Sequence, residues 1–316
     1  MRGDEVLENV VLEVKSGSHL YGTNTPESDR DYMGIFMPPE EYVFGLKTVK
    51  EVDCSIKSKD KSGRNDKDAV DVKLYEFRHF VKLALANNPN ILEVLFVGED
   101  AIVSCTETGR ELLKNRHLFP SRQSHKRFSA YARGQRHKMI MRGEHRESLL
   151  EAESVLSELI DHGNDKMVMA ELSLEKGPFG RVKNHIQVGD LLIEPGVYVK
   201  KAYKMVKHRL DNATSRSTLM DKYGYDTKFA SHLIRLLLEN NRMLKTSELV
   251  FPLPEEERQT VLDIKLGKWD MEKVVKYSEE LEAESDSLVL SSSLPANARY
   301  QDVESMVIRM MREHLL

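Results

Sequence analysis

The sequence predicts an α+β protein, with a small mixed sheet near its N-terminus and a largely helical chain behind it. Three observations predict this. Short β-branched or alternating segments cluster before Tyr75, and helical spacings dominate after Thr108. The 316 residues are 40% hydrophobic and 31% charged, enough apolar material for a substantial core and too little charge for disorder. Only two cysteines occur, Cys54 and Cys105, with no CxxC, which excludes a disulfide scaffold and a thiolate zinc site.

Val10 to Val14, β-branched at three of its positions, reads as a first strand that ends in the turn-rich Ser16-Gly17-Ser18. Tyr32 to Met37 reads as a second, closed by Pro38-Pro39, which cannot donate to a ladder. The stretch from Ile56 to Asp68 is polar, cannot pack, and is expected to be an exposed loop. Val70, Val72 and Leu74 alternate with Asp71 and Lys73, a third strand with one wet face. From Tyr75 the period turns helical, with Phe77, Phe80, Val81, Leu83 and Ala84 on one face, and Asn87-Asn88-Pro89 ends that helix. Ile91 to Val97 is a further apolar segment. Leu149 to Leu159 and Leu233 to Leu238 have helical spacing. Between them, Gly177 to Val199 is expected to form a hairpin or an irregular excursion. The acidic tail predicts helices over Met271 to Ala283 and Tyr300 to Leu315.

Lys plus Arg number 47 and Asp plus Glu 51, a net charge of −4, so any basic surface must be local. No run approaches the length of a membrane span, and Asp4, Glu5 and Glu8 stand where a signal peptide needs basic and then apolar residues. The expectation is a cytoplasmic protein without membrane contact.

The segment that carries chemistry is Gly17-Ser18-His19-Leu20-Tyr21-Gly22, followed by Ser28-Asp29-Arg30-Asp31. On a strand, Asp29 and Asp31 project from one face. Two carboxylates that close repel unless a cation sits between them, and Mg²⁺, which takes carboxylates together with substrate phosphate, is the natural choice. Glycine followed by serine at a strand end lets backbone N–H groups and a hydroxyl approach phosphate. A two-metal site needs a further carboxylate. Asp71, on the wet face of the third strand, is the best candidate and a possible general base, with Asp53, Asp66 and Asp68 as competitors.

GSxxxG followed by SDxD and a strand aspartate resembles the polymerase-β-type nucleotidyltransferase superfamily. The longer GSHLYGTNTPESDRDYMGIFMPP is similar to its predicted RNA-repair branch of bacteria and large phages. The stretches Asp71 to Phe96 and Tyr225 to Leu238 fit the same branch. The resemblance implies a polymerase-β-like palm and transfer of NMP from an NTP to a hydroxyl, with release of pyrophosphate. It implies two Mg²⁺ held by the catalytic Asp29, Asp31 and Asp71, and nucleotide bound at Gly17 and Ser18. The domains expected are a catalytic domain over 1–108, a mainly helical acceptor and nucleotide-binding domain over 109–250, and a C-terminal helical segment over 251–316.

Lys228, His232 and Arg235 fall at i, i+4 and i+7, a helical stripe expected to face the triphosphate, with Ala230, Leu233 and Leu237 buried behind it. From Leu112 to Arg146 there are ten Lys or Arg against the single acid Glu144. Helical spacing puts Arg122, Lys126, Ser129, Arg133 and Arg136 on one face and Phe128, Ala132, Gln135 and Met139 on the core side. A nucleic-acid backbone is the expected partner of that face; the alternative is pairing with the acidic C-terminal segments. The four nearby histidines lack metal-ligand spacing and are not read as a zinc site. The favoured acceptor is an RNA 3′ end, tRNA included. Transfer to a protein or small molecule would need no nucleic acid, and a non-catalytic RNA- or nucleotide-binding module would be indifferent to Asp29→Asn and Asp31→Asn.

Overall fold

The computed structural model describes residues 6–26, 28–56, 70–172, 177–211 and 222–315. The chain opens with β1 (Val10–Ser16), α1 (Gly17–Tyr21), β2 (Arg30–Phe36), α2 (Glu40–Val43), β3 (Glu51–Asp53) and β4 (Val70–Glu76). Then come α3 (Phe77–Leu85), α4 (Pro89–Leu95), β5 (Ile102–Cys105), α5 (Glu107–Lys114) and the long α6 (Gln123–Asp161). The short strands β6 (Phe179–Val182), β7 (His185–Val188) and β8 (Leu191–Ile193) follow. Among the described residues there follow the helices α7 (Val199–Asp211), α8 (Thr227–Thr246), α9 (Glu255–Lys265), α10 (Met271–Ser291) and α11 (Tyr300–Leu315). The protein is therefore α+β, with a mixed sheet first and helices dominating after it.

The chain forms two compact units. The first comprises residues 1–133, 231–266 and 273–316, and the second 134–230 and 267–272. In the first, five strands are ordered β3-β4-β2-β1-β5; β2 and β4 run parallel and every other neighbouring pair is antiparallel. The three longer strands are the three the alternation predicts. The two edge strands are short and carry no readable period: Glu51-Val52-Asp53 is too brief to alternate visibly.

Both faces of this sheet are covered at one end and open at the other. Along β4, Asp71 and Lys73 are exposed while Leu74, Tyr75 and Glu76 are buried; β2 likewise runs from exposed Arg30 to buried Gly34, Ile35 and Phe36. Phe36 and Leu74 join Val6, Val10, Val49, Val52 and Val72 in an apolar cluster. The buried end of β4 leads straight into α3, where the Glu76 side chain caps the helix by accepting from the His79 backbone N–H at 2.8 Å. The apolar segment from Ile91 is a helix, not a strand: Asn88 is its N-cap and Pro89 its first residue, a position where a missing N–H costs nothing. Of the expected polar loop over 56–68, residues 57–68 lie outside the described residues, as do Asp66 and Asp68.

The second unit has its own core. The Gly177 to Val199 excursion contains an antiparallel meander, β6-β7-β8. Phe179, Ile186, Val188 and Ile193 from the meander pack with Leu149, Ala152 and Leu156 of α6 and Val199, Ala202 and Val206 of α7. Short strands suffice because one face of a small sheet needs only one helical layer to cover it.

Candidate active site

β1 ends at Ser16, which is paired with Asp31 across the antiparallel ladder. Gly17 then takes φ +62°, in the left-handed region, and opens α1. A Cβ at Gly17 would stand 2.1 Å from Asp31 Oδ2. Glycine is thus required twice over: by the backbone conformation and by the carboxylate lying against it. The half-buried Ser18 follows, and its carbonyl accepts the N–H groups of Gly22 and Thr23.

Asp31 pairs in parallel register with Asp71. Residues directly opposite in a ladder point to the same face. The side chain of residue 71 therefore lies on the Asp31 side of the sheet, and both acids stand at the starts of parallel strands, hence at one edge. Antiparallel β1 delivers Gly17 and Ser18 to that same edge. Asp29 is exposed and stands on the coil leading into β2, whose first residue is Arg30. Asp53 pairs with Lys73 in β3, its Oδ1 accepting the Ser55 N–H at 2.9 Å.

These positions suit a hard divalent cation in donor chemistry: three carboxylates at one sheet edge, Asp31 drawn in close by the missing Cβ of Gly17. They are not a closed cage. Among the described residues, no group of three or more His, Cys, Asp or Glu side chains stands at metal-holding separation.

Sequence reasoning missed Lys265, at the end of α9. Its Nζ donates to the Thr23 carbonyl at 2.8 Å and reaches Ser28 Oγ at 3.5 Å. Ser28 is held further by Thr25, whose N–H donates to its hydroxyl at 2.9 Å. A cation nearly 240 residues away in sequence thus pins the segment that leads into Asp29; no local pattern signals such a contact.

The predicted stripe of Lys228, His232 and Arg235 needs correction. Lys228 is exposed and His232 half-buried, but Arg235 is buried, with its side chain only 5% exposed. The reason is that the middle of α8 is buried on nearly every side: Phe229, Leu233, Ile234, Leu236, Leu237 and Leu238 are buried, and so are the polar Ser231 and Glu239, so seven positions on from Lys228 no wet face remains. Arg235 Nη1 donates to Glu93 Oε1 at 2.5 Å and to both Glu239 oxygens at 2.8 and 3.0 Å. Its guanidinium carbon lies 4.1 Å from the Tyr21 ring centre, and the Tyr21 hydroxyl donates to Glu93 Oε2 at 2.6 Å. Burial works against the Arg235 charge, but the pairs with Glu239 and Glu93 outweigh it and hold the guanidinium well above its ordinary pKa. Burial pushes the Tyr21 hydroxyl well up, Arg235 opposing and Glu93 adding to the rise.

Arg122, just before α6, and Lys126 and Arg133 on it are exposed, as the spacing predicts; Arg136 is half-buried and Ser129 buried. Phe128, Ala132 and Met139 are fully buried on the opposite side. Among the described residues, Arg122, Lys126, Arg127 and Arg133 form no ion pair with an acid. His125 does pair with the acidic tail, its Nε2 standing 3.1 Å from Asp286 Oδ1. The exposed Tyr131 shares the helix, its hydroxyl accepting from Asn88 Nδ2 at 2.9 Å.

A family model described as the RNA repair pathway DNA polymerase beta family matches residues 4–307. The chain is 26% identical to an uncharacterised 38.9 kDa protein from the nrdC-mobD intergenic region of Enterobacteria phage T4, over 86% of this chain and 87% of that protein. A crystal structure of a nucleotidyltransferase-like protein from Exiguobacterium sibiricum 255-15 shares 11% identity over 90% of this chain and 69% of its own, with a TM-score of 0.26, too low to bear on the fold. Among the described residues no helix is long and apolar enough to cross a membrane.

Proposed function

The chain belongs to the RNA repair pathway DNA polymerase beta family and is a nucleotidyltransferase of polymerase-β type; on that premise we propose that it transfers NMP from an NTP to the 3′ hydroxyl of an RNA, tRNA included, in the cytoplasm, and releases pyrophosphate. The observation that carries the reading is the parallel register of Asp31 with Asp71, beside a glycine whose missing Cβ makes room for the Asp31 carboxylate.

Asp29, Asp31 and Asp71 are the residues that would hold Mg²⁺. When bound, Mg²⁺ supplies charge neutralisation at the α-phosphate and lowers the pKa of the attacking hydroxyl. Gly17, through its backbone, and Ser18, through its hydroxyl, bind and orient the triphosphate. Asp71, exposed at the outer strand of the pair, takes the proton of the attacking hydroxyl as general base. Arg122, Lys126 and Arg133 bind the acceptor backbone, positioning it without reading its sequence. Most of the rate comes from positioning, since in-line phosphoryl transfer asks little covalent chemistry of a protein.

The test is incubation with each α-labelled NTP and Mg²⁺, with and without cellular RNA, beside an Asp29→Asn/Asp31→Asn double variant. Label is expected in RNA, reduced about a thousandfold or more in the variant. Label on protein in either sample moves the acceptor to a protein hydroxyl, and no label anywhere sinks the catalytic reading.

A further inference from the structure

α1 is five residues long, and one helical turn has no means of holding its own orientation in water. Ser18 begins that turn, and its carbonyl takes the N–H groups of Gly22 and Thr23, so any tilt of Tyr21 or Gly22 moves Ser18 with it. Tyr21 is where the helix is gripped. Its carbonyl accepts the Leu253 N–H at 3.2 Å, its ring lies 6.0 Å from that of Phe251, and the Arg235 guanidinium covers its other surroundings at 4.1 Å.

The polar part of the grip is costly. One guanidinium and two carboxyl groups are taken almost wholly out of water, and apolar side chains of the same volume would hold the fold at least as well. What an apolar core would not supply is direction. Glu93 offers one oxygen to Arg235 and the other to the Tyr21 hydroxyl, while Glu239, one turn along α8, orients the guanidinium. The chain of contacts runs from Arg235 and Glu239 through Glu93 to Tyr21, all residues of the first unit.

We propose that Arg235, Glu93 and Tyr21 are positioning residues, a buried brace that sets the Gly17–Ser18 turn for transfer. This rests on the reading of that turn as the triphosphate cradle. Arg235 thereby acts on the phosphates only through Tyr21 and Ser18.

Tyr21→Phe is the mild test, since it keeps the ring and removes only the bond to Glu93; Arg235→Lys keeps the charge and replaces the planar group that lies against the Tyr21 ring and whose Nη1 serves both glutamates. Two quantities are read: amide hydrogen exchange over residues 17–23 in ligand-free protein, and kcat and KM for NTP in the transfer reaction. Both variants are expected to speed exchange in that segment about tenfold, and to lower kcat about tenfold with KM changed less than about threefold. Unchanged exchange and kcat in Tyr21→Phe overturns the brace. A raised KM in Arg235→Lys with kcat and exchange unaltered also overturns it, making Arg235 a direct phosphate ligand. Faster exchange in the two variants, with no nucleotide transferred even by the wild type, keeps the brace and removes the cradle. If Arg235→Lys does not fold, Tyr21→Phe decides alone.

Discussion

A carboxylate that shares a buried space with one arginine and a second carboxylate has reason to keep its proton. Burial pushes Glu239 from 4.5 up to about 8; Arg235 opposes the rise and Glu93 adds to it. With both glutamates charged, the cluster would hold a net negative charge out of water beside Tyr21. The sign of the consequence follows from linkage. Between about 4.5 and about 8 the folded state binds a proton there that the unfolded state has released, so stability falls as pH rises through that window and levels off above it. Glu239→Gln removes the titration. Urea unfolding from pH 5 to pH 9 is expected to show a fall of up to about 1 kcal/mol per pH unit in the wild type, and a flatter profile in the variant. Equal slopes in both would mean that the proton lies elsewhere. Gly17 belongs to the same scale: a one-atom difference decides whether Asp31 has somewhere to go.

At the scale of elements, two helices illustrate opposite uses of charge. The middle of α8 is buried on nearly every side and satisfies its polar groups inward: Asn240 donates to Ser285 Oγ at 3.0 Å and Asn241 to the Leu281 carbonyl at 3.2 Å, both on α10. α6 keeps its bases in solvent at its N-terminal end while Phe128 and Ala132 anchor the other side. Cations left without acids are suited to a polyanion. Lys126→Glu/Arg133→Glu is expected to weaken binding of a labelled single-stranded RNA at least about tenfold and to reduce the slope of log affinity against log salt by about one to two. Anisotropy titrations between low and moderate salt check this; an unchanged slope would return the helix to a solvated surface. The difference between the two helices was half legible. The helical spacing of Lys126 and Arg133 against Phe128, Ala132 and Met139 marks α6, whereas Lys228, His232 and Arg235 have a stripe's spacing on α8 but not its solvent exposure.

At the scale of the whole molecule, the second unit has an apolar core of its own. That core, around Ile186, Val188, Leu156 and Val199, draws only on residues of the second unit. A cavity made there should therefore act locally. Ile186→Ala is expected to cost about 2–5 kcal/mol, read as faster amide exchange over residues 149–206, with exchange over β1, β2 and β4 changed little. Equal acceleration across both units would show them to unfold as one. With a net charge of −4, attraction to an anionic partner must come from a local face such as that of α6, not from the molecule's total charge. Much of this was determined by the sequence alone: the strand periods, the helical remainder, the glycine-serine turn, and the acids at 29, 31 and 71, because period and spacing are local properties of a chain. Only the tertiary structure decided that β2 and β4 run parallel in a register that puts Asp31 opposite Asp71, that Lys265 pins the segment before Asp29, and that Arg235 is buried with Glu93 and Glu239. Those facts depend on which distant segments meet, and long-range pairing is set by how apolar faces are covered, which no local pattern records.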